Sequence, residues 1–497
     1  MFYRLLEYGI GGKIYKLIKS FYTKSICAVK LNNHKTKPFD YHRGVRQGRI
    51  LSPILFNLFL NELPLALSER KTDPFILPNG TSLNSLLYAD DLVLISKSKF
   101  GLENCLKILE SFNQKWLLDI NYQKTKILVF QNSGRKPKNV TFYINKKEIE
   151  IVHEYTYLGI TFSASGSFSV AQKTLSDKAM NALFKIRKHI NLSKLKLNNA
   201  LKIFDSVILP IITYGCEIWG LYNNLDFDKW DKTHMEKVHL RFCKLYLELN
   251  RRTSNHAARA EMGRFPILIP IIKRILKYNL YLRSKDDNVI VKQAYLISED
   301  TKTNLTKSYG NKFKELFNLL DNVENSRLIS FAGKNIDKYI SSLKSNFIKF
   351  WEEKLKNSPK LEFYRRSKIH YAPDSFIDDL SKCPSRKDLL KLRTCNHSLL
   401  IETGRYCNPK LPREERICNY CDKHEVEDEQ HLLLSCKLYS NLRDIFFDKL
   451  KSVFQTPHAN SNNFIADILS SRVKKATFYL AQFINKCFST RKITPSS

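Results

Sequence analysis

The spacing of apolar residues changes once along the chain, at about residue 170. Before it, apolar positions three and four apart predict helices over residues 1–22, 51–67 and 101–118. The second of these opens with Ser52 as its expected cap and Pro53 at its first position. Short apolar runs between Asn, Gly and Lys turns predict strands in KSICAVKLNN, TSLNSLLYADDLVLIS, KTKILVF, VTFYI, KEIEIV and YTYLGITF.

Helical spacing dominates the remainder of the chain, including its last sixty residues. The most apolar stretch, residues 206–222, contains Pro210 and Glu217 and is shorter than the roughly 20 apolar residues of a membrane span. We therefore expect a buried helix or helix pair there, and no membrane partner. Residues 251–266 and 298–312 are the expected linkers.

Charge narrows the classes of partner. The 497 residues include 82 Lys and Arg against 48 Asp and Glu, a formal net charge of +34. Such an excess favours a polyanion, most often nucleic acid, over a merely solvated basic surface. The N-terminal residues MFYRLLEYGIGGK lack the apolar core of a signal peptide, and the cysteine count of 11 is odd. We expect an intracellular protein, in the cytoplasm or nucleus, with reduced cysteines.

Adjacent acids, Asp90 and Asp91, interrupt the apolar run LLYADDLVLIS. A buried hairpin with residues 89–91 at its exposed tip accounts for them. Aspartate is a common turn residue, so the pair need only make the turn. Alternatively, the hairpin holds two carboxylates as ligands for Mg²⁺, which supports in-line phosphoryl transfer.

A glycine-bracketed loop, RGVRQG, precedes the hairpin by some forty residues and leads into the second helix. Glycines let a backbone approach a nucleotide closely, and a helix N-terminus favours phosphate. The loop, the helix and the hairpin together predict a nucleotide or template site. Its candidate residues are Arg43, Gly44, Arg46, Gln47, Gly48 and Ser52.

In this order, RGVRQGxxLSPxLFNxxxN followed by YADD resembles the reverse transcriptases of non-LTR (LINE-type) retrotransposons, in their motifs B and C. The resemblance implies that Gln47 contacts the incoming nucleotide and the template. It also implies that Asp90 and Asp91 bind catalytic Mg²⁺, as part of a two-ion site.

The resemblance continues to about residue 445. LLDINYQKTKILVF is similar to motif D, in which Lys124 matches the lysine thought to protonate pyrophosphate. EYTYLGITF is similar to motif E, the primer grip, at Tyr157, Leu158 and Gly159. Residues 170–220 resemble the thumb. Without the family, Lys124 is an ordinary surface lysine, and Tyr157 and Leu158 are ordinary strand residues.

Motif A, which carries the family's first catalytic aspartate, has no counterpart in the sequence. The acids before Gly44 are Glu7 and Asp40, and neither matches that ligand. We therefore expect a reverse-transcriptase fragment that is inactive, or nearly so, by itself.

Six cysteines lie within residues 383–436, and four side chains form the pattern C-x2-C-x9-H-x4-C: Cys418, Cys421, His431 and Cys436. This order fits a tetrahedral structural Zn²⁺, whereas a CxxC pair alone would also suit redox chemistry. His424 is an alternative ligand, but a solvated loop position is preferred for it. The region resembles the cysteine–histidine region of LINE polyproteins, which is thought to bind RNA or DNA.

Further residues near this pattern have expected roles. Phosphate contacts are expected from three arginines, Arg405, Arg413 and Arg416. The remaining cysteines of the region are expected to be small buried residues, with a second metal site as the less favoured alternative: Cys383, Cys395 and Cys407.

The predicted fold class is α+β: a partial right-hand polymerase palm with an antiparallel sheet and helices, a helical thumb, and a C-terminal region with a small zinc module. The expected domains are a palm (1–165), a thumb (166–255), a helical connector (256–390), a zinc-binding module (391–445) and a helical tail (446–497). The expected function is RNA-directed DNA polymerisation, with an RNA template and a DNA primer as partners. The alternative is a non-catalytic nucleic-acid-binding protein that uses the thumb and the zinc module.

Overall fold

The computed structural model of the protein describes residues 1–23, 26–40, 44–46, 48–68, 71–131, 134–222, 226–299, 308–324, 336–453, 464–470 and 473–493. The chain forms two compact units. Unit 1 comprises residues 1–155, 163–166 and 286–297, and unit 2 comprises residues 156–162, 167–285 and 298–497.

The helices follow the two spacing regimes of the sequence. Up to residue 116 they are α1 (Phe2–Glu7), α2 (Gly12–Tyr22), α3 (Leu51–Leu60), α4 (Glu62–Ser68) and α5 (Lys99–Trp116). From residue 169 they are α6 (Ser169–His189), α7 (Leu197–Ile203), α8 (Leu209–Ile212), α9 (Cys216–Trp219), α10 (Phe227–Trp230), α11 (His234–Tyr246), α12 (Asn255–Glu261), α13 (Leu268–Arg283), α14 (Ile290–Glu299), α15 (Tyr309–Glu324), α16 (Ile336–Lys356), α17 (Glu362–Ser367), α18 (Phe376–Asp379), α19 (Arg386–Arg393), α20 (Leu400–Thr403), α21 (Ser440–Lys451), α22 (Phe464–Ser470) and α23 (Lys474–Ile493).

The strands of the described residues are short and lie before residue 164. They are β1 (Ile26–Cys27), β2 (Lys30–Leu31), β3 (His34–Lys35), β4 (Phe39–Asp40), β5 (Phe75–Ile76), β6 (Ser82–Leu83), β7 (Ser85–Tyr88), β8 (Asp91–Leu94), β9 (Ile127–Leu128), β10 (Phe142–Ile144), β11 (Lys147–Ile149), β12 (Ile151–Val152), β13 (Glu154–Tyr157) and β14 (Ile160–Ser163).

The mixture of helices and strands agrees with the α+β prediction, but the expected continuous antiparallel sheet is not found within the described ranges. The strands form two-stranded pairs instead: β1 with β4, β2 with β3, β5 with β6, β7 with β8, β9 with β12, β10 with β11, and β13 with β14. The pair of β9 and β12 is parallel. The β10–β11 hairpin lies between these two strands in the chain.

Glycine and proline explain where the helix predictions were too long. The helix expected over residues 1–22 is divided at Gly9, whose φ is +72°, and α2 starts only at Gly12. The helix expected over 51–67 is divided at Asn61. Pro64 has no N–H to donate to the carbonyl of Leu60, which favours a break at this point.

Leucines of α4 and its neighbour α5 form a core of unit 1. Leu63 and Leu67 pack with Ile108 and Phe112 of α5. Within the described part of the chain, Leu51–Ser68 is a helical segment long and apolar enough to cross a membrane by length and composition. Apolar residues of this segment pack against α5 and so contribute to the core of unit 1.

The core of unit 2 is helical and contains the segment expected to be a buried helix pair. Phe204, Ile208 and Trp219 are at most 1% exposed and lie in this core. The linker expected over residues 251–266 is wrong, because α12 lies inside it and its residues 257–261 are fully buried. Most of the other expected linker, 298–312, lies outside the described residues, and α15 begins at Tyr309.

Candidate active site and metal cluster

The two adjacent aspartates lie at the end of the β7–β8 hairpin. Tyr88 pairs with Asp91, so Ala89 and Asp90 form a two-residue turn. Both aspartates are exposed, whereas Leu87 and Leu92 of the hairpin pack on the core of α4 and α5. The hairpin therefore anchors the two carboxylates on a packed base and presents them to solvent.

The backbone of this turn is strained at one residue. Ala89 has a φ of +54°, in the left-handed region that favours glycine. Such conformations cost roughly 1 kcal/mol for a residue with a Cβ and are frequent at functional sites.

Further acidic ligands are not grouped with the pair in the part of the chain that the structure describes. Two acids precede Gly44. Glu7 forms an ion pair with Arg4 in α1, and Asp40 lies opposite Ile26 in the antiparallel strand pair β1–β4, not in the β7–β8 hairpin. Two carboxylates alone provide an incomplete site for Mg²⁺, which prefers octahedral coordination.

The loop before α3 has the glycine geometry expected of it. Gly44 and Gly48 have φ values of +87° and +82°, which other residues rarely adopt. The Nε atom of Arg46 is buried and has no hydrogen-bond partner among the described residues. Two candidates of this loop, Arg43 and Gln47, lie outside the described residues.

Ser52 does not cap α3, which is a correction of the sequence prediction. The helix is preceded by Ile50, and Ser52 lies inside its first turn. Its hydroxyl is buried and donates to the carbonyl oxygen of Arg46. Ser52 therefore ties the loop to the helix, a role that a serine within the first turn can take because its side chain turns back toward the preceding residues.

Lys124 and the predicted primer-grip residues lie in different units. Lys124 is exposed, and its carbonyl oxygen accepts a hydrogen bond of 3.0 Å from the Tyr155 hydroxyl within unit 1. The turn between β13 and β14 belongs to unit 2, and Leu158 and Gly159 have φ values of +47° and +83°. Two consecutive positive φ values are typical of a tight hairpin turn.

The four ligands predicted near the C-terminus are brought together. Their ligand atoms all lie within 4.8 Å of one another. The Sγ atoms of Cys418 and Cys436 are 3.9 Å apart, and the Sγ of Cys421 is 3.4 Å from Nε2 of His431. Bond lengths of about 2.3 Å to sulfur and 2.0 Å to nitrogen around a tetrahedral ion require about 3.8 Å between two sulfur atoms and about 3.5 Å between sulfur and nitrogen. The donor set thus fits a tetrahedral metal ion.

Hydrogen bonds around the cluster orient the histidine. Nδ1 of His431 lies 2.8 Å from the Glu425 carboxylate and 2.9 Å from the Ser435 hydroxyl, which leaves Nε2 facing the sulfurs. The backbone N–H of Cys436 donates to the carbonyl oxygen of His431 at 2.8 Å. A carboxylate on the far nitrogen is the usual support of a metal-bound histidine.

Burial raises the pKa of the Cys418 thiol to about 12 and also raises that of Cys436. Without a cation, both thiols therefore stay protonated at neutral pH. A bound metal would offset this cost, because it stabilises the thiolate form directly.

Other residues of this region differ in part from expectation. His424 is exposed, with a φ of +49°, and lies outside the cluster. Cys395 is buried, but the expectation of burial is wrong for Cys407, which is exposed, and Cys383 is half-buried. Both cysteines lie near loops rather than on the core-facing side of a long helix.

The three arginines expected to contact phosphate are held by protein groups. Arg416 is buried and donates to the carbonyl oxygens of Ile401 and Leu411, so the expectation is wrong for it. Arg413 pairs with Glu362 at 2.7 Å, and Arg405 pairs with Glu402 at 3.3 Å.

A different set of arginines, not singled out in the sequence, lies together in unit 2. Arg187 is in the last turn of α6, Arg241 is in α11, which packs on α6, and Arg251 follows α11. Burial, and then the charges of Arg251 and Arg187, lower the pKa of Arg241. Its Nε is buried without a hydrogen-bond partner among the described residues. Residues from two helices carry this cluster, so no local sequence motif marks it.

Comparison with known proteins agrees with the motif pattern. Residues 2–162 match the family model "Reverse transcriptase (RNA-dependent DNA polymerase)". The chain is 25% identical over 248 residues to the RNA-directed DNA polymerase from mobile element jockey of Drosophila funebris, which covers 48% of this chain and 25% of that protein. It is 27% identical over 220 residues to the Pol polyprotein from the type-1 retrotransposable element R2 of Popillia japonica, covering 43% of this chain and 35% of that protein. The chain thus spans only a quarter to a third of these curated relatives.

Proposed function

Because this chain is, over residues 2–162, a reverse-transcriptase domain of the non-LTR retrotransposon type, we propose that it serves RNA-directed DNA synthesis. The observation that carries the proposal is the β7–β8 hairpin, which presents Asp90 and Asp91 side by side on a rigid, packed base within the matched region. The substrates would be an RNA template, a DNA primer and deoxynucleoside triphosphates.

Asp90 and Asp91 would hold Mg²⁺, which supplies Lewis-acid stabilisation of the attacking and leaving oxygens. The loop at Gly44 to Gly48 would bring its backbone close to the nucleotide and the template, since neither glycine has a side chain to block the approach. The buried Nε of Arg46 offers a donor to an anionic ligand there. Lys124, which is exposed, would provide the proton for the pyrophosphate.

The same hairpin also limits what this chain does by itself. The described residues supply two carboxylates at the site, and a tight two-ion centre needs at least one more. We therefore propose that extension by this chain is weak or requires a further acidic ligand supplied from elsewhere.

Nucleic acid would be held through its phosphates by the arginine cluster of unit 2. Arg187, Arg241 and Arg251 have no ion pair to a carboxylate among the described residues, and the charges of Arg251 and Arg187 act on Arg241, so a phosphate bound at Arg241 would offset that repulsion. This cluster also supports the second candidate function, a nucleic-acid-binding protein without catalysis of its own.

We also propose that the three cysteines and the histidine bind a structural Zn²⁺. Replacing Cys418 or Cys436 with Ser should abolish stoichiometric zinc and expose the C-terminal region to protease. Wild-type zinc content and protease resistance in either variant would contradict the assignment.

Primer extension on an RNA template with Mg²⁺ tests the catalytic proposal. Asp90→Asn should remove any extension, whereas Glu148→Gln, which changes another exposed carboxylate of unit 1, should retain it. Equal extension by wild type and Asp90→Asn would refute the role of the hairpin.

Affinity for a primer–template measured against salt concentration tests the binding proposal. Arg241→Gln should weaken binding and reduce the slope of log K against log salt by about one. Arg366→Gln is the matched control, because that guanidinium pairs with Glu362. The binding proposal fails if both variants keep the wild-type slope. Strong salt-dependent binding by a wild type that does not extend the primer would favour the second candidate.

A further inference from the structure

The turn between β13 and β14 rests on a single tyrosine. The Tyr214 hydroxyl donates a 2.9 Å hydrogen bond to the carbonyl oxygen of Leu158. The same ring lies under Gly159, where an added Cβ would be 3.2 Å from ring atom Cε1. Both contacts lie within unit 2, which contains residues 156–162 and 167–285.

The backbone of Tyr214 is held in turn by a buried tryptophan. Its carbonyl oxygen accepts a 2.8 Å hydrogen bond from Nε1 of Trp219, which is only 1% exposed. Gly215 follows with a φ of +68° and faces the Cδ1 atom of Ile160, 3.1 Å from where its own Cβ would be. The buried Trp219 thus holds the backbone of Tyr214, while the ring and hydroxyl hold the turn.

The upper side of this arrangement is open. Tyr214 is 48% exposed and Leu158 is 38% exposed, so the turn and its support are accessible to a ligand while the base is packed.

We propose that Tyr214 is a positioning residue for the primer: by fixing the Leu158–Gly159 turn, it sets where the 3′-terminal nucleotide of the primer lies. This inference rests on the proposed function, in which that turn contacts the primer. It adds that the hydroxyl and the ring of Tyr214, a residue of the mainly helical unit 2, hold the turn. The position of the primer terminus would therefore depend on the packing of unit 2.

A photo-crosslink from the primer terminus tests it without requiring chemistry. The probe is a primer–template whose 3′-terminal nucleotide is 4-thiothymidine, used with the full chain. Tyr214→Phe removes only the hydroxyl and should reduce the crosslink yield at the terminal nucleotide about fivefold, as expected for the loss of one hydrogen bond. The overall Kd for the primer–template, set mainly by phosphate contacts, should stay within about twofold.

Two further variants sharpen the result. Tyr222→Phe is the matched control, because this ring packs on Phe168 in the same unit and its hydroxyl does not contact the turn. Gly159→Ala places a Cβ 3.2 Å from the Tyr214 ring, at a φ of +83°, so it displaces the turn while the Tyr214 hydroxyl is retained, and it should lower the crosslink yield as well.

The outcomes separate this inference from the function on which it rests. Reduced crosslinking in Tyr214→Phe and Gly159→Ala, with an unchanged Kd, supports it. A wild-type yield in Tyr214→Phe overturns the inference alone. No crosslink from the 3′ nucleotide to the wild-type chain overturns the assignment of the turn to the primer, and the inference with it.

Discussion

Arg259 of α12 is fully buried and holds two carboxylates of unit 2. Its NH1 donates to Asp231 at 2.6 Å and to Glu236 at 2.9 Å, and its NH2 donates to Asp231 at 2.9 Å. Glu236 is also fully buried and accepts further hydrogen bonds from Trp230 and from the backbone N–H of Ile267. Three charge-assisted hydrogen bonds thus depend on one side chain that has no access to water.

Arg259→Met keeps most of the side-chain volume and removes the charge. Because it removes the buried guanidinium from Asp231 and from Glu236, which then keeps only His239 as a charged partner, we expect unit 2 to lose about 3–5 kcal/mol of unfolding free energy. Urea denaturation followed by tryptophan fluorescence measures this, since Trp230 bonds directly to Glu236. The double variant Arg259→Met/Glu236→Gln should lose less than the sum of the two single losses, because the unpaired charge is then absent.

The matched control is Arg366→Met in α17. Its guanidinium pairs with Glu362 one turn away, and both side chains are partly exposed. Such a pair is worth about 0–1 kcal/mol. A loss below about 1 kcal/mol in Arg259→Met, or an equal loss in Arg366→Met, would refute the reasoning that burial makes the Arg259 pairs indispensable.

Three further predictions concern pH and side-chain contacts. Burial raises the pKa of Glu236, but His239 and Arg259 outweigh burial and lower that pKa to about 2. The ionised Glu236 should therefore stabilise the fold by about 3 kcal/mol above pH 4.5, and this stabilisation should be lost as the pH falls towards 2. Urea titration at several pH values measures it, and Glu236→Gln, the reference, should show a flatter profile. Arg491→Ala should release zinc to a chromophoric chelator faster than wild type, because Arg491 pairs with the buried Glu427 beside the ligands; an unchanged release rate would contradict this. Ser98→Ala should destabilise unit 1 by about 1 kcal/mol in denaturant titration, because the Ser98 side chain caps α5 by accepting from the N–H of Gly101.

Local patterns predicted the parts of the fold that depend on local interactions. The β7–β8 hairpin was foreseen because apolar residues flank a short polar turn, and its apolar side chains do pack on a helix core. The helix expected over residues 101–118 corresponds to α5, which begins and ends two residues earlier and is capped by Ser98. The errors at α3 and α4 came from Pro64, whose effect on an otherwise apolar helix depends on which carbonyl it deprives of a partner.

The segment 251–266 was misread for a different reason. Arginines, a histidine and small residues are typical of an exposed linker, but α12 buries Arg259 and Glu261 completely. Their partners lie elsewhere in the sequence: Asp231 and Glu236 for the first, Arg393 for the second. A charged residue is predicted to be exposed unless its buried partners are known. The sequence pattern alone therefore places such residues at the protein surface.

The same distinction separates the two candidate metal sites. The four residues of the candidate zinc site lie within 19 consecutive residues, and the backbone hydrogen bonds that arrange them lie within that stretch, so their spacing alone predicted a group of four. The carboxylates of the hairpin are adjacent in sequence, and no further acidic side chain is grouped with them among the described residues. Spacing therefore predicts a complete coordination set at the first site and only a pair at the second. Tyr214 shows why a residue distant in sequence is not predicted from spacing. It lies 56 residues from Leu158, and only the folded unit brings its hydroxyl to the Leu158 carbonyl oxygen.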